Sequence, residues 1–473
     1  MSISFDAVRL RRTAIWGYGR EGQAALNALR LRFPEKKLTL LVKPEEAAQW
    51  DFSGDPNLEV ITDEATPGLL GQFATIIKSP GISPYAPALE WVRFRGTRFI
   101  SGSALWFSEH AQDRTICITG TKGKSTVSAL TAHLLRCGGH RTALCGNIGL
   151  PLLDLLEPET PPEWWVIELS SYQTVDAMCV PAIAVVLNLF PEHLPWHGSL
   201  DQYYADKLQI LADGKAEVAV LNGADARLVE LTKFVERGYW FNVADAWHVR
   251  EGHICFAEEP VLDLKDLRLS GRHNAENVCA ALTIVHACGL DARALARHVC
   301  SFHPLPHRLQ HLGARGGLEY VDDSIATTPH ASVAALESLS ERAVTILLGG
   351  FERGLPWDSF VDYVQQNPPH AVICFGDSGP RIAEALRARL RVAAPELEHL
   401  RTPGLLRLAE IADLPGAIAL AVHITPRGGT VLLSPGAPSF DSYASYAERG
   451  RAFAEFAGFG DLSSDQIPGL GIA

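Results

Sequence analysis

The chain of 473 residues is 47% hydrophobic and 20% charged, which is typical of a soluble globular protein, but it is too long for one hydrophobic core. Its formal net charge of −12 argues against a nucleic-acid partner. The sequence lacks an apolar secretion signal, and no apolar run approaches the roughly 18 to 20 residues of a membrane helix. The scattered cysteines, without a CxxC pair, predict reduced thiols. We therefore expect a cytoplasmic protein of roughly two to four domains, without a membrane segment.

The first stretch, to about residue 110, alternates strand and helix patterns. A strand-like run enters the sequence GYGREG, and an amphipathic helix follows at residues 22–31. Further strand patterns lie at residues 38–42 and 75–78, and the second of these meets a Ser-Pro-Gly turn. Strands that alternate with helices predict a parallel sheet.

The GYGREG segment, residues 17–22, fits the GxGxxG pattern of dinucleotide-binding folds. In those folds an acidic residue at the end of the second strand binds the ribose. Here Val42 is followed by Lys43, and a lysine suits a phosphate better than a ribose hydroxyl. The motif is therefore interpreted as a diphosphate site that is not obviously for NAD. A tight turn without a ligand is about as well supported.

The second stretch opens with the most informative segment, TICITGTKGKST at residues 115–126. A β-branched run enters a glycine loop, and a helical pattern follows through Leu135. Glycines let backbone N–H groups close on phosphate oxygens, and the helix directs its positive end at them. A hydroxyl beside Lys124 can hold Mg²⁺. Because Ile118 stands where the usual first glycine would be, the loop is a shortened GxxGKS. It predicts a nucleoside-triphosphate site; the alternative is a simple turn with a solvated lysine.

Three further residues of the second stretch are candidates for this site. Glu168 directly follows a strand pattern at residues 165–167, and a carboxylate at that end of a parallel strand can bind Mg²⁺. An acid at a helix N-terminus is the alternative. His193, taken alone, is more simply a core or surface histidine. Lys207, in a helical pattern at residues 203–211, would ordinarily be a solvated lysine.

The third stretch follows a proline-broken linker at residues 303–307 and is again α/β in pattern. Strand patterns alternate with helical patterns throughout this stretch. The strands are predicted at residues 318–321, 344–348, 371–375 and 430–434, and the helices at residues 331–338, 380–390 and 443–456.

Taken in order, these residues resemble the Mur ligases of peptidoglycan synthesis, and among them the MurD family, which joins glutamate to UDP-N-acetylmuramoyl-L-alanine. The motifs that carry the resemblance are GTKGKST, GNIG at 146–149, ELSSYQ at 168–173, His193, Lys207, HNAEN at 273–277, His307-Arg308, Asp323-Ser324, Gly349-Gly350, LSP at 433–435 and SFD at 439–441. The resemblance implies an α/β fold of three domains. These are a Rossmann-like UDP-substrate domain at 1–110, a P-loop ATPase domain at 111–306 and a Rossmann-like glutamate domain at 307–473.

The resemblance also implies a role for each motif position. ATP would be bound by Gly120, Thr121, Lys122, Gly123, Lys124, Ser125, Thr126, Asn274, Asn277, Arg308 and Asp323. Ser125 and Glu168 would hold one Mg²⁺, and His193 with a carbamylated Lys207 would serve a second. The UDP-substrate would face Gly17, Tyr18, Gly19, Arg20, Lys43, Ser79, Pro80, Gly81 and Asn147. Glutamate would meet Thr327, Arg353, Ser439 and Tyr446. Lys124, Glu168, His193 and Lys207 are the implied catalytic residues.

The implied chemistry explains why ATP is needed. An amine cannot displace oxide from a carboxylate, so ATP first converts the alanine carboxylate to an acyl phosphate. The glutamate amine then attacks, and phosphate leaves from a tetrahedral intermediate. Such a reaction needs positioning and electrostatic stabilisation rather than a nucleophilic side chain. The partners are therefore small molecules, and we expect a monomer whose domains close over the acyl phosphate.

Two segments depart from the usual MurD pattern. Residues 323–327 read DSIAT where DSKAT is typical, so Ile325 replaces a lysine that helps bind D-glutamate. The C-terminal motif reads SPGAPSF instead of SPACASF, and Arg353 takes the place of a carboxylate-binding cation. These differences resemble the branch that adds L-glutamate, which predicts a functional link to a separate epimerase.

Several alternatives remain at this point. One is a MurD that adds D-glutamate, and another is a sibling Mur or folylpolyglutamate-type ligase. A nucleotide-binding regulator without catalysis is disfavoured because Glu168, His193 and Lys207 are all present. An NAD-dependent oxidoreductase is disfavoured by Lys43 and by the phosphate loop.

Overall fold

The computed structural model describes residues 4–214, 216–269, 271–303, 305–339, 342–393, 405–460, 467 and 469–473. Pro304 of the predicted linker lies outside the described residues. The chain divides into two compact units, one of residues 1–267, 273–302 and 469–473, and the other of residues 268–272 and 303–468. Both units are α/β with largely parallel sheets, so the predicted fold class is confirmed.

Five parallel strands form the first sheet of the first unit, in the order β3-β2-β1-β4-β5. The strands are β1 (Thr13–Trp16), β2 (Leu38–Leu41), β3 (Leu58–Ile61), β4 (Thr75–Lys78) and β5 (Arg98–Ile100). The helices are α1 (Phe5–Arg9), α2 (Arg20–Arg32), α3 (Pro44–Ala47), α4 (Pro67–Leu70), α5 (Pro87–Phe94) and α6 (Gly102–Glu109). Because β2 and β4 flank β1 on opposite sides, the turn after β1 opens where parallel sheets usually bind ligands.

Ten strands form the second sheet of this unit, and β6 lies between β9 and β8 near its centre. The strands are β6 (Thr115–Thr119), β7 (Thr142–Gly146), β8 (Trp164–Glu168), β9 (Ile183–Val186), β10 (Val218–Asn222), β11 (Gly238–Phe241), β12 (Trp247–Arg250), β13 (His253–Phe256), β14 (Glu259–Asp263) and the C-terminal strand Gly471–Ile472. The helices are α7 (Lys124–Cys137), α8 (Ser171–Thr174), α9 (Leu194–His197), α10 (Leu200–Leu208), α11 (Ala226–Leu231), α12 (Arg272–Ala287) and α13 (Ala292–Ala296), with 3₁₀ turns at Leu152–Leu155, Gln209–Gly214, Leu264–Asp266 and Arg297–Ser301. All five residues of β6 are buried, which fits a strand covered on both faces.

Antiparallel strands extend both edges of this second sheet, which the alternating pattern did not predict. At one edge β12, β13 and β14 pair antiparallel. At the other, the C-terminal strand pairs with β7. The Arg136 guanidinium fixes that end by donating to the carbonyls of Gly469 at 2.7 Å and Gly471 at 3.0 Å.

Seven strands form the sheet of the second unit, in the order β15-β16-β21-β17-β18-β20-β19. The strands are β15 (Gln310–Arg315), β16 (Leu318–Asp322), β17 (Val344–Gly349), β18 (Ala371–Phe375), β19 (Arg391–Ala393), β20 (Leu405–Glu410) and β21 (Thr430–Leu433). The helices are α14 (Pro329–Ser338), α15 (Asp358–Gln366), α16 (Gly379–Arg389), α17 (Leu414–Ile424) and α18 (Tyr446–Phe456). Among the described strands of this sheet, β15 alone pairs antiparallel, with β16.

The boundaries predicted at residues 110 and 306 fall between successive sheets along the chain. The assignment of three functional domains to these stretches stays a prediction. No helix in the described part of the chain has the length and apolar character needed to cross a bilayer.

Candidate active site

The phosphate loop joins the end of β6 to the start of α7, as predicted. Gly120 and Gly123 have positive φ angles of 148° and 85°. A side chain at Gly120 would place its Cβ 2.9 Å from the Leu187 Cβ, and one at Gly123 would lie 2.4 Å from the Asn277 side-chain oxygen. Glycine is therefore required at both positions. The Thr121 and Lys122 amides donate to the backbone and side-chain oxygens of Asn188, at 3.0 and 2.8 Å, so an anion would be bound by the amides at the amino end of α7.

Two lysines meet at one carbonyl of this loop. The Lys124 Nζ donates to the carbonyl oxygens of Gly120 at 3.0 Å and Thr121 at 2.9 Å. The Lys207 Nζ donates to the same Gly120 oxygen at 2.8 Å. Burial, together with the charge of Lys124, lowers the pKa of Lys207 well below its usual value. Lys207 therefore has access to the neutral amine form, unlike the solvated lysine that its sequence pattern alone would indicate.

Glu168 supplies a buried carboxylate at the carboxyl end of β8. Its Oε1 accepts a hydrogen bond from the Asn147 amide at 2.7 Å. Its Oε2 is buried without a hydrogen-bond partner among the described residues. A buried carboxylate oxygen with an unused lone pair fits a hard cation, whose preferred ligands are oxygens. Within the described residues no three His, Cys, Asp or Glu side chains form a metal cluster. A Mg²⁺ here would therefore need other oxygen ligands, such as the Ser125 hydroxyl and phosphate oxygens.

His193 lies close to the same lysines. It has a left-handed backbone with φ of 56° and stands at the cap position before α9. Burial lowers its pKa, and nearby Lys207 and Lys124 lower it further against the opposing effect of Glu192. The structure thus brings His193 and Lys207 into one electrostatic environment, and their role at a second Mg²⁺ stays a prediction.

Glu192 was not among the predicted site residues. Its carboxylate accepts a hydrogen bond from the Lys122 Nζ at 3.0 Å. Burial alone would raise the pKa of Glu192, but Lys122 and other cations outweigh it and the pKa is lowered. The sequence signal was its position beside His193 after a strand, where carboxylates meet phosphate loops.

Most of the residues predicted for the UDP-substrate lie at the carboxyl edge of the first sheet. The Ser79 hydroxyl donates to the Gly17 carbonyl at 3.2 Å, and Gly17 itself has a φ of 87°. The backbone N–H of Tyr18 donates to a Glu46 carboxylate oxygen at 2.7 Å. Lys43 is exposed at the cap position before α3.

The other five residues of that set stand around or apart from the turn. Gly19 caps α2, and Arg20 begins the helix. Pro80 and Gly81 follow Ser79, and the Gly81 carbonyl accepts from the Trp196 indole at 3.0 Å. Asn147 bonds to Glu168 instead, so it stands beside the predicted metal position and away from the glycine turn.

The ATP residues predicted in the helix after the second sheet lie close to the loop. The Asn277 side chain meets Gly123, and its amide donates to the Asn274 side-chain oxygen at 3.2 Å. This arrangement puts both asparagines next to the phosphate-binding turn. Their predicted contact with adenine stays a prediction.

In the second unit, Asp323 is a buried carboxylate with two protein donors. It accepts from the Ser434 hydroxyl at 2.8 Å and from the Leu309 backbone N–H at 3.2 Å. Burial raises the pKa of Asp323 to about 7. The Nε of Arg308 is buried without a hydrogen-bond partner among the described residues. Arg308 therefore retains a donor for a ligand. A ribose hydroxyl, in contrast, would compete for the Asp323 carboxylate with the Ser434 hydroxyl and the Leu309 backbone N–H.

The predicted glutamate residues lie on loops at the carboxyl ends of the third sheet. The Arg353 guanidinium donates to the Thr327 carbonyl at 2.8 Å. Ser439 is buried, while the Tyr446 ring is partly exposed at the start of α18. Ile325, which replaces the usual lysine, is half-buried beside them along the chain.

Arg449 joins these loops and was missed by the sequence analysis. It is fully buried and donates to the carbonyl oxygens of Ser324 at 2.9 Å, Ala437 at 3.0 Å, Pro438 at 3.0 Å and Gly349 at 3.3 Å. These oxygens belong to the loops that carry Thr327, Arg353 and Ser439. Burial lowers the pKa of Arg449 to about 10. A usable signal was its place on the apolar side of α18, where residues 449, 450, 453 and 454 are buried.

Comparison with protein families gives two matches that together cover more than half of the chain. The model of the Mur ligase middle domain matches residues 118–285. The model of the Mur ligase glutamate ligase domain matches residues 307–437.

Curated relatives match over almost the whole length. A protein of Xanthomonas campestris pv. campestris (strain 8004), named UDP-N-acetylmuramoyl-L-alanine--L-glutamate ligase, is 47% identical over 468 residues, covering 97% of each chain. A protein of Xylella fastidiosa (strain Temecula1) with the same name is 47% identical over 472 residues, covering 98% of each. A third with that name, from Micromonospora sp., is 37% identical and covers 95% of this chain and 96% of its own.

Solved structures with the same fold are more distant in sequence. UDP-N-acetylmuramate-alanine ligase MurC from Thermotoga maritima has a TM-score of 0.58 at 19% identity, covering 94% of this chain and 98% of its own. MurF ligase from Thermotoga maritima, solved with ADP, has a TM-score of 0.55 at 14% identity, covering 95% and 94%.

Proposed function

The chain belongs to the Mur ligase family, and on that premise we propose that it joins L-glutamate to the alanine carboxylate of UDP-N-acetylmuramoyl-L-alanine with ATP. The observation that carries the reaction type is the convergence of Lys124 and Lys207 on the phosphate loop, with the open carboxylate oxygen of Glu168 in the same unit. The substrates follow from relatives that carry this activity as their name at 47% identity over 97% of the chain.

Lys124 and the loop amides position the triphosphate for transfer. The amide groups at the start of α7 bind phosphate oxygens. The Lys124 ammonium, which donates to two loop carbonyls, stabilises the negative charge of the γ-phosphoryl group during transfer. The alanine carboxylate attacks the γ-phosphorus and forms an acyl phosphate, with ADP as the leaving group. When Mg²⁺ is bound at these residues, it would supply positive charge that offsets the charge on the phosphate oxygens.

Glu168, Ser125, His193 and Lys207 are the residues that we propose to hold Mg²⁺. Glu168 offers its unpartnered Oε2. Lys207 fits only after modification, because an ammonium cannot bind a cation. The lowered pKa of Lys207 makes its neutral amine available to attack CO₂, which yields a carbamate and releases one proton. The carbamate oxygens then provide the ligands that a hard metal prefers.

The second half of the reaction takes place with glutamate. Its amine attacks the acyl carbon, and inorganic phosphate leaves as the amide forms. We propose that Arg353 and Ser439 bind glutamate carboxylates, with Thr327 and Tyr446 beside them. Arg353 is exposed, and among the described residues its guanidinium donates to the Thr327 carbonyl alone, so its other N–H groups can bind a carboxylate.

The wider setting is also a proposal. A reaction that consumes ATP and a uridine nucleotide runs in the cytoplasm, and each substrate is a small molecule. We propose a monomer that binds no nucleic acid and no membrane. If the final peptide contains D-glutamate, a separate epimerase must invert the L-glutamate residue after it has been added.

The enantiomer assay tests this function. Purified enzyme receives UDP-N-acetylmuramoyl-L-alanine, ATP and Mg²⁺ with L-glutamate or D-glutamate, and the amide product and ADP are measured together. We expect faster turnover with L-glutamate. Faster turnover with D-glutamate would contradict the proposed stereochemistry. If no ADP is formed with either amino acid, the ligase assignment is contradicted.

A further inference from the structure

The loop between β4 and α5, residues 79–86, is fastened to the segment that carries His193 and Lys207. This β4–α5 loop contains Ser79, Pro80 and Gly81, which are assigned to the UDP-substrate. The Ser83 hydroxyl donates to the Trp196 carbonyl at 2.7 Å, and the Trp196 indole returns a hydrogen bond to Gly81 at 3.0 Å.

A buried ion pair anchors the start of the same loop. The Lys78 side chain is completely buried, and its Nζ lies 2.5 Å from an Asp176 carboxylate oxygen. It also donates to the Ile82 carbonyl at 3.1 Å. These contacts hold the loop at its base and do not involve Tyr85, which stands near its other end.

Tyr85 contacts a buried carboxylate on α10. The Tyr85 hydroxyl donates to Asp206 Oδ1 at 2.5 Å, and the Gln202 amide donates to the same oxygen at 2.8 Å. Asp206 Oδ2 lies 2.5 Å from His197 Nδ1. Asp206 is 1% exposed, so it needs these polar neighbours.

The connection continues to the ELSSYQ segment. His197 Nε2 lies 3.0 Å from the Ser171 hydroxyl, and Ser171 stands three residues after Glu168. The order Asp206–His197–Ser171 is that of a hydrolase triad. Ser171 is only 3% exposed, however, so an external carbonyl could not reach its hydroxyl. A positioning role fits this burial better than a nucleophilic one.

We propose that Asp206 is a positioning residue that sets the UDP-substrate loop against the metal-binding residues. One of its oxygens holds Tyr85 of that loop, and the other holds His197, which reaches the segment of Glu168. The next residue along α10 is Lys207. A single buried carboxylate therefore connects the loop of Tyr85, the segment of His197 and the segment of Glu168. These three must be correctly placed relative to one another for the alanine carboxylate to reach the γ-phosphate. This inference rests on the proposed substrate and extends it to residues outside the family motifs identified from the sequence.

Tyr85→Phe is the sharpest test, because it removes one hydroxyl and leaves the Lys78, Ser83 and Trp196 contacts in place. Calorimetry should show a roughly 10-fold weaker Kd for UDP-N-acetylmuramoyl-L-alanine, as expected for one hydrogen bond to a charged group. The Kd for ATP with Mg²⁺ should stay within about twofold. In the ligase assay KM for the UDP-substrate should rise more than kcat falls. Tyr239→Phe, at a partly exposed tyrosine of β11, is the matched control.

Asp206→Asn tests the centre of the connection, with Asp201→Asn on the exposed side of α10 as its control. We expect both a higher KM for the UDP-substrate and a lower kcat, because the contacts toward Ser171 weaken as well. The proposal is overturned if Tyr85→Phe leaves the Kd and KM of the UDP-substrate unchanged, or if its affinity for ATP falls equally. If the wild type binds the UDP-substrate but forms no amide, the ligase function is refuted. The Kd values of wild type and Tyr85→Phe for the UDP-substrate would still decide the role of Tyr85.

Discussion

Two glycine-rich turns of the first unit, at residues 17–22 and 120–123, both join a central parallel strand to a helix, yet their surroundings differ. In the first turn the Tyr18 amide donates to the carboxylate of Glu46. In the second, the loop carbonyl of Gly120 accepts from Lys124 and Lys207. An internal carboxylate thus stands beside one turn and two lysines stand beside the other. The glycines establish only that a backbone can approach an anion closely; the neighbouring charges decide which chemistry the turn supports.

The largest effect should come from the charge at the second turn. Lys124→Ala should lower kcat by roughly 10²- to 10³-fold, or ~3–4 kcal/mol, because a preorganised charge at the transferring phosphoryl group is lost. Lys233→Ala, which removes an exposed lysine outside the predicted site, is the control and should cost far less. Steady-state assays measure kcat for both variants. Equal decreases in kcat would contradict a role of the Lys124 charge in stabilising the transition state.

Lys207→Ala should lower activity by about 10- to 100-fold, the range found when the support of a metal site is removed. If the lysine acts as a carbamate, short carboxylates such as formate or acetate should restore part of the rate. Measuring kcat across carboxylate concentrations tests this. A fully active variant would remove Lys207 from the metal site.

The first turn holds a different kind of group, the half-buried carboxyl of Glu21. It accepts from the Gln173 amide at 2.9 Å, and burial raises its pKa to about 7. The folded protein therefore binds a proton that the unfolded chain releases near pH 4.5, and this contribution to stability is lost as pH rises from about 4.5 to about 7. Glu21→Gln should remove that loss and stabilise the first unit by on the order of 1–2 kcal/mol at pH 8 relative to pH 5.

Thermal unfolding of wild type and Glu21→Gln at both pH values measures this difference. The gain in Tm from the substitution should be larger at pH 8. An identical gain at the two pH values would show that Glu21 does not titrate in this window.

The smallest effect should come from the exposed cation beside the first turn. Lys43→Ala should raise KM for the UDP-substrate by roughly two- to fivefold with little change in kcat, because an exposed charge contributes up to about 1 kcal/mol. Lys37→Ala is the matched control, since Lys37 is also exposed but stands before β2, whereas Lys43 follows it. Equal responses would mean that Lys43 has no contact with the diphosphate.

Local patterns were sufficient for the elements around the phosphate loop. Residues 115–126 combine a strand, glycines and a helix start in one continuous segment. Glu168 is the last residue of β8, which pairs with β6, so its place near the loop could be predicted. The substitution at Ile325 predicted L-glutamate, in agreement with the names of the relatives. The hairpin of β12 and β13 was missed by the sequence analysis. Its two-residue turn is formed by Glu251 and Gly252, whose φ angles of 49° and 78° are the positive values that such a turn requires.

Other features depend on contacts between distant residues and left little trace in the sequence. Arg449 bonds to oxygens of residues 324 and 349, which are 125 and 100 positions away, and only the folded sheet brings them together. Tyr85 and Asp206 are separated by 121 positions. Each looks like an ordinary surface residue in its own helix or loop, so neither could be assigned before the structure placed them in contact.

The central claim is that the chain uses ATP to activate the alanine carboxylate as an acyl phosphate, and an isotope experiment tests it directly. UDP-N-acetylmuramoyl-L-alanine with ¹⁸O in both carboxylate oxygens is converted with ATP and L-glutamate, and the released phosphate is analysed by mass spectrometry. We predict that each phosphate carries one ¹⁸O atom from the substrate. Product amide accompanied by unlabelled phosphate would contradict the mechanism.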